Sequence, residues 1–532
     1  MYHRSASAIY LLFCFLFSIS LSAQHGDHGP MPPKKDTIAL FKDALGEFKR
    51  IISTKNEAAQ DYFTQGIQLK YAFGVSEAAL SFREAQKRDP NCAICYWGEA
   101  WALGAYLNGS LSESDAPRAY EAIQQASKLA KKHASPVEKA LIEAMLPRYI
   151  KDFDKETRGK QDSAYAQAMA KVYEKYPDDD DVATVYAEAL FILEPRRGAR
   201  DINDPDLQVI MRVLEKILGK DIEHPGACHL YIHATEATSQ PELGEPCAEY
   251  IGNSIPGASH INHMPSHTFN EVGRWGESVR ANLQASHTDQ KADLLGEGVA
   301  IYPSHNLHML LYAASFDGQG AIAIQGGKDF AKKTGNTMFQ VLTLIRFGRF
   351  DEILPIKNRP DSDIAGGMWD FAQGYARLKT GEADFANVYL QRLLTIADTS
   401  EAKYRGHPAE RLLGTLGGIL EGEMHWMAHD MDKALAAFER AVEWEDAMAY
   451  DEPEPLPFAA RHWQGALLLK MKKFAEAEAA YQAELDDHPN NGWSYFGLLQ
   501  ALKAQGKDTA EIQKKFDASW ARSDIWLPAS KF

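Results

Sequence analysis

Histidines are concentrated in one short stretch of this chain. Nine of its 18 histidines lie between positions 224 and 308 of a 532-residue sequence. Three of them, His260, His263 and His267, are spaced three and four residues apart, and residues at these spacings share one face of a helix. Imidazole is a common protein ligand for zinc, copper and iron. The stretch HINHMPSHTF therefore predicts a metal-binding or polar catalytic surface.

Two neighbouring segments have the same kind of spacing. GACHLYIHATEA places His229, His233 and Glu236 four and three residues apart, and YPSHNLHML places His305 and His308 three apart. Three or four such side chains would satisfy one or two ions of Zn, Cu or Fe. The alternative is a buried hydrogen-bond network without an ion. The candidate metal ligands are His229, His233, Glu236, His260, His263, His267, His305 and His308.

The sequence lacks the familiar catalytic signatures. HMPSH has no glutamate of the kind that defines an H-E-x-x-H metalloprotease helix, and GGKDF lacks the Ser or Thr of a phosphate-binding loop. No nucleophile elbow and no dinucleotide fingerprint occur, so no cofactor-binding loop is predicted. Glu188 in VYAEALF is one further candidate for a base or a ligand. Enzymatic activity would depend on the histidines alone, and no catalytic residue is assigned.

The elements that must position these side chains are helices. Tyr62, Gly66, Ala78, Phe82 and Pro90 fit a 34-residue unit of two helices, in which small residues allow a close approach, aromatic residues fill the space and proline ends the second helix. The same order of residue types recurs in GYARLKTGEADFA, EGEMHWMAHDMDKALAAFERA and GALLLKMKKFAEAEAAYQAELDDHP. Strand signals are nearly absent. The pattern predicts an all-α chain of stacked helix pairs.

Over most of residues 37–532 the chain resembles the tetratricopeptide repeat (TPR) family. More narrowly, it resembles a group of exported bacterial TPR proteins in the segments DPNCAICYWGEAWALG, CHLYIHATEA, HINHMPSHTF and YPSHNLHMLLYAA. The resemblance implies an all-α, TPR-like helix-turn-helix solenoid, a right-handed superhelix with an inner groove. It also implies that the first helices of successive repeats lie side by side, so that the three histidine segments can meet in one pocket. Pro265 is expected to break this helix or to mark its start.

The chain divides by composition into five parts. Arg4, an apolar run from Ile9 to Phe17 and small residues up to Ala23 predict a signal peptide over 1–23, and the polar, Pro-rich 24–36 predicts a disordered tail. TPR-like helices follow in an N-terminal part (37–220), a His-rich central part (221–320) and a C-terminal part (321–532). NRPDSDIAGG (358–367) predicts a loop or hinge. No segment after the signal is long and apolar enough to span a membrane, so the expectation is an exported protein, periplasmic or secreted.

Charge and cysteine content restrict the partners and the compartment. The net charge of −16 disfavours nucleic acid as a partner. Four cysteines follow the signal segment and permit two disulfides in an oxidising compartment. Cys228 and Cys247 are spaced like facing positions on two antiparallel helices. Cys92 and Cys95, in CAIC, could form a local disulfide, a redox pair or two free thiols.

Two functions follow from these patterns. The first is an exported TPR scaffold that binds a partner protein or peptide in its concave groove, with histidines lining a central site. The second is a metal-binding protein or metalloenzyme that holds Zn, Cu or Fe in the histidine cluster and activates water or oxygen at an open coordination position. Metal storage or delivery is a weaker third. The positions of the histidine rings distinguish metal binding from the scaffold function. A metal site requires ring nitrogens from at least two of the three segments within about 4 Å of a common point.

Overall fold

The computed structural model describes residues 37–41, 43–195 and 198–532. The predicted signal peptide and tail, 1–36, lie outside these residues. The regular structure is almost entirely helical, and one short antiparallel pair joins β1 (Lys403–Tyr404) to β2 (His407–Pro408). In the described part of the chain, no helix is long and apolar enough to cross a membrane.

The helices follow one another with short connections. Those before the His-rich segments are α1 Glu57–Tyr71, α2 Val75–Arg88, α3 Ala93–Leu103, α4 Ala116–His133, α5 Pro136–Met145, α6 Arg158–Lys175, α7 Asp180–Phe191 and α8 Pro205–Leu218. The central helices are α9 Pro225–Thr235, α10 Glu245–Ile251, α11 Ser259–His263, α12 Pro265–Glu271, α13 Trp275–Leu295, α14 Pro303–Phe316 and α15 Gly320–Thr334. The remaining helices are α16 Met338–Arg346, α17 Phe350–Ile353, α18 Asp363–Lys379, α19 Ala383–Thr399, α20 Ala409–Met427, α21 Met431–Asp446, α22 Arg461–Lys470, α23 Phe474–Asp487, α24 Gly492–Ala504 and α25 Ala510–Ser519. Short 3-10 turns occur at Leu146–Arg148, Lys155–Thr157 and Pro241–Gly244.

Nearly every helix packs against the next helix and often against the one after that. α1 contacts α2 and α3, and α18 contacts α19 and α20 in the same way. This order is that of a solenoid, in which neighbouring repeats bury the apolar faces that a single helix pair leaves exposed. The predicted all-α, TPR-like stack of helix pairs is therefore the observed fold.

Glycine–aromatic contacts explain why the helix pairs form where they do. A Cβ on Gly66 would lie 2.7 Å from the ring of Phe82, and one on Gly422 would lie 2.3 Å from the ring of Phe438. In both pairs the aromatic residue stands 16 positions after the glycine (82 − 66 and 438 − 422). The recurring sequence pattern thus corresponds to a recurring contact. In each pair, an aromatic ring of the second helix packs directly against a glycine of the first helix.

Local sequence explains the start of α7, whereas the loop predicted before α18 needs a correction. The side chain of Asp179 accepts a hydrogen bond from the backbone N–H of Val182, so the DDDDV run caps α7 as a helix start. The loop predicted over 358–367 is shorter than expected. Its last five residues form the first turn of α18, which begins at Asp363, because Ile364 and Ala365 are buried in the core.

The apolar side chains form two cores. The first runs from Ile52 to Ile301 in sequence, and the second runs from Trp275 to Leu502. Their ranges overlap in the His-rich part, where α13 and α14 belong to the second core while the segments before them belong to the first. The histidine segments therefore lie where the two cores meet.

Both cysteine pairs form disulfides. Cys228 on α9 bonds to Cys247 on α10, with the two Cα atoms 5.0 Å apart, as expected for facing positions on antiparallel helices. Cys92 and Cys95 form a local disulfide at the start of α3, with Cα atoms 5.4 Å apart. Of the alternatives open for the CAIC segment, the structure shows the disulfide.

Candidate functional site

The first group of candidate ligands lies on α9, which crosses the interior of the molecule. All 11 residues of this helix are buried, because α9 packs against α1, α7, α8, α10 and α12. His229 and His233 lie one turn apart on it, and Glu236 follows at its C-cap. The predicted helical face exists, but it points into the protein and not into an open groove.

The second group lies on α11 and α12. Pro265 is the first residue of α12, a position where its missing N–H removes no helical hydrogen bond. The helix break expected at Pro265 is therefore confirmed. His260 and His263 lie on α11 and His267 lies on α12, and all three are buried. α11 packs against α14, which carries His305.

Three imidazoles form what we call the first triad, consisting of His229, His233 and His260. Their donor atoms lie within 4.8 Å of one another. The ring centroid of His229 is 5.0 Å from the centroids of both His233 and His260. The ring of Phe73 covers this group, with its centroid 4.1 Å from that of His229. Each of the three histidines is only 1% exposed, so the first triad is closed to solvent.

The second triad consists of His263, His267 and His305. Their donor atoms also lie within 4.8 Å of one another. The ring centroid of His263 is 4.7 Å from that of His267 and 4.8 Å from that of His305. The two triads adjoin, because the centroids of His260 and His263 are 5.0 Å apart and those of His233 and His267 are 5.2 Å apart.

Hydrogen bonds determine which nitrogen of each ring faces its triad. His229 Nδ1 donates to the carbonyl oxygen of Tyr71 at 2.6 Å. His233 Nδ1 donates to Oε1 of Glu236 at 2.7 Å, and His267 Nδ1 donates to Oε2 of the same carboxylate. Carbonyl and carboxylate oxygens only accept, so Nδ1 is the protonated nitrogen in all three rings. In a neutral ring this leaves the lone pair on Nε2.

The first triad holds lone pairs that no protein group satisfies. Nε2 of His229, Nε2 of His233 and both ring nitrogens of His260 are buried without a hydrogen-bond partner. One unsatisfied buried polar atom typically costs about 1–3 kcal/mol. Four such atoms in one closed space are costly for a hydrogen-bond network, whereas a cation bound by one nitrogen of each ring would satisfy three of them.

Glu452 also reaches this region, although sequence reasoning did not select it. It lies on the segment between α21 and α22, and its Oε2 is 3.0 Å from His267 Nδ1 and 4.0 Å from His233 Nδ1. With Glu236 it places a second buried carboxylate between the triads. Glu452 stands 185 positions after His267 (452 − 267), and its acidic, Pro-rich surroundings, DEPEPLP, contain no metal-ligand spacing that would connect it to the histidines.

Burial and neighbouring charges set the protonation of the cluster. Burial lowers the pKa of His229, His260 and His263 well below its usual value, and adjacent histidines lower it further. These rings are therefore neutral at neutral pH. For His267, burial also opposes the charged form, but the carboxylates of Glu236 and Glu452 outweigh burial and raise its pKa to about 10. His267 is then charged, and its Nε2 donates to His263 Nε2 at 3.1 Å.

His308 does not join either triad. Its ring stacks on Phe339 with centroids 3.9 Å apart, and its Nδ1 lies 3.4 Å from Nη1 of Arg405. His305 and His308, which were predicted to share one face of α14, therefore have different surroundings. His305 belongs to the second triad, whereas His308 packs into the second core. Among the described residues, the groups of side chains close enough to share an ion do not include His308.

Glu188 does not lie in the histidine cluster either. Its carboxylate forms a buried ion pair with Lys70 and accepts a hydrogen bond from Trp101 Nε1 at 2.6 Å. The candidate base or ligand thus neutralises a buried lysine. This pairing accounts for Glu188 without a chemical role.

One small cavity adjoins the cluster. His267 and Glu452 line its inner side, and Glu271, Tyr312 and Glu454 are among the residues around the rest. It has room for about one water molecule. The cavity touches a member of the second triad and no member of the first, so the two triads differ in their access to water.

Comparisons with known proteins bear on the fold. No protein-family model and no curated protein matches the chain. The human IFIT1 dimer with m7Gppp-AAAA aligns at 13% identity over 90% of this chain and 92% of that chain, with a TM-score of 0.32. The APC/C hetero-tetramer Cut9–Hcn1 aligns at 14% identity over 89% of each chain (TM-score 0.28), and the TPR domain of P58(IPK) aligns at 10% identity over 84% of this chain and 98% of that chain (TM-score 0.22). The fold is TPR-like. These TM-scores are low, so the TPR-like assignment is based on the helix pairing observed in this chain.

Proposed function

We propose that this protein is a TPR-like scaffold that holds a transition metal in a buried histidine centre. One observation carries the proposal: in the first triad, His229 and His233 have Nδ1 fixed by a carbonyl or a carboxylate and Nε2 left without a partner. Histidines that bind metals usually donate the other ring N–H to such an acceptor, which fixes the tautomer and the ring direction. A cluster that served only as a hydrogen-bond network would pair its Nε2 atoms as well.

The donor atoms indicate the class of metal. Neutral imidazole nitrogens suit zinc, copper, iron and nickel, whereas magnesium and calcium prefer oxygen ligands. The first triad offers three imidazoles, and Glu236 would orient His233 and His267 through their Nδ1 atoms. A bound ion would supply positive charge and Lewis acidity at this point. The chain's own groups would supply its ligands and exclude bulk water from the first triad.

Export to an oxidising compartment is part of the proposal. The sequence pattern of residues 1–23 supports it, and so do the two disulfides. The periplasm and the extracellular space both fit, because disulfides form and persist in either.

Binding of a partner protein or peptide in a concave groove is the competing function. Stacked helix pairs present an inner surface that suits it. However, the six triad histidines are each at most 8% exposed, so a docked peptide could not use them as a polar lining. Partner binding would then be insensitive to their replacement, whereas metal binding would be lost.

Elemental analysis of protein purified without a histidine tag tests the proposal. We expect near-stoichiometric zinc, copper or iron, and a loss of that metal in the double variant His229→Ala/His263→Ala. His308→Ala is the matched control, because it removes a buried histidine that lies outside both triads. A folded wild-type protein that contains no metal, and takes up none when zinc or copper is added, would overturn the proposal.

A further inference from the structure

We propose that the histidine centre holds two ions, one in each triad. This inference depends on the proposed metal-binding function and extends it from one ion to a pair.

The grouping of donor atoms limits what one ion can use. Among the described residues, three imidazole donors come within 4.8 Å of one another only as His229, His233 and His260, or as His263, His267 and His305; His233 and His267 also form a mixed group with Glu236 and Glu452. Ligands of one ion with metal–nitrogen bonds of about 2.0–2.1 Å cannot be more than roughly 4.2 Å apart. A single ion could therefore reach one triad after small side-chain shifts, but not all six rings. Six imidazoles in two separate groups of three suit two ions.

The carboxylates between the triads connect the two groups. Glu236 accepts from His233 of the first triad through one oxygen and from His267 of the second triad through the other. It therefore fixes one ligand in each group at once. Glu452 lies on the same side, 3.0 Å from His267 Nδ1. Two buried carboxylates would offset part of the charge of two divalent cations, which a buried site needs because uncompensated charge is costly in the protein interior.

The second triad brings two ring nitrogens close enough for one ion to bind both. His267 Nε2 and His263 Nε2 are 3.1 Å apart, which is within the roughly 4.2 Å that can separate two ligands of one ion. His305 completes the group, with its donor atom within 4.8 Å of the other two.

The two sites would differ in how quickly they exchange their ions. The first triad is 1% exposed and covered by Phe73, whereas the second borders the cavity through His267. That cavity has room for about one water molecule, which could occupy an open coordination position on the second ion. We therefore expect one slowly and one rapidly exchanging ion in each chain.

The test counts zinc ions per chain in full-length protein after loading and removal of excess metal. Two per chain are expected for the wild type, one for His260→Ala, one for His305→Ala and two for the control His308→Ala. His260→Ala breaks no hydrogen bond of the imidazole, because neither ring nitrogen of His260 has a hydrogen-bond partner in the protein. Far-UV circular dichroism and a thermal melt establish that each variant is folded.

A second measurement uses only the wild-type protein and does not depend on the folding of variants. Chelator added to zinc-loaded wild-type protein should remove the metal in two phases of equal amplitude. One zinc per chain, released in a single phase, would overturn the two-ion inference and leave the metal-binding function standing. Wild-type protein that binds neither zinc nor added copper would overturn both.

Discussion

Glu236 accepts ring N–H groups from two histidines that belong to different triads. In Glu236→Gln, one oxygen becomes an amide nitrogen that cannot accept, so one of the two rings loses its anchor. We expect metal affinity to fall by about 10–100-fold with the fold intact. Competition with a chelating dye measures the affinity. Glu242→Gln, an exposed change nearby in sequence, is the control. Equal affinities for wild type and Glu236→Gln would show that this carboxylate does not position the ligands.

Asp289 provides a pH test at a single buried residue outside the triads. Burial raises its pKa to about 7, although hydrogen bonds from Ser259 and Asn306 oppose the rise. In the unfolded chain this carboxyl ionises near pH 4, so its contribution to the free energy of unfolding is lost as the pH rises from about 4 to 7. Asp289→Asn should therefore gain stability relative to wild type between pH 4.5 and 7.5, by a few kcal/mol. Urea unfolding at both pH values measures it, and a difference between the proteins that does not change with pH would contradict the assignment.

Spacing predicted which rings share a helical face, and it could not predict where every ring points. His229 and His233 lie one turn apart on α9, so their proximity follows from their spacing alone, whereas His263 and His267 lie on the separate helices α11 and α12. The separation of His305 from His308 depends on Phe339 and Arg405, which come from later repeats. Glu452 comes from a loop whose path is decided by the packing of the whole second half. Such long-range contacts leave no periodic signal in the sequence.

Among the elements, helix pairing was the most predictable feature, because it depends on local contacts between small and aromatic residues. Gly66, Phe82 and Pro265 each marked a packing contact or a helix boundary that the structure confirms. The loop predicted over 358–367 is too long. The polar residues of this segment favour a loop, but they do not indicate that Ile364 is buried in the core. Whether the chain divides at 221 and 321 stays a prediction.

Gly422 tests the glycine–aromatic contact that sets helix spacing. A Cβ at this position would lie 2.3 Å from the ring of Phe438, so Gly422→Ala should destabilise the protein by about 1–3 kcal/mol through overpacking. Gly159→Ala in α6 is the control. Nothing lies within 4 Å of its added Cβ, so it should be neutral or stabilising by up to about 1 kcal/mol. Denaturant unfolding measures both, and similar effects of the two changes would contradict this account of helix pairing.

For the whole molecule, the important feature is that the triads lie where two apolar cores meet. Ligands come from α9, α11 and α12 on one side and from α14 and the Glu452 loop on the other. An ion in the second triad would therefore link the two halves, because His305 comes from α14. Any ion bound only by the folded protein would stabilise it by about 2.7 kcal/mol at a free metal concentration 100 times Kd. Denaturant unfolding with and without zinc should show this gain in wild type and not in His260→Ala/His263→Ala. An equal gain in the double variant would place zinc binding elsewhere.

The most direct test of the metal centre is a crystal structure of the zinc-loaded protein with anomalous diffraction data collected at the zinc edge. We predict an anomalous peak bounded by His229, His233 and His260, with metal–nitrogen distances of about 2.0–2.1 Å. A peak bounded by His263, His267 and His305 would accompany it if both triads bind. Anomalous density found only at surface residues, with the six buried rings arranged as they are in the metal-free protein, would contradict the central claim.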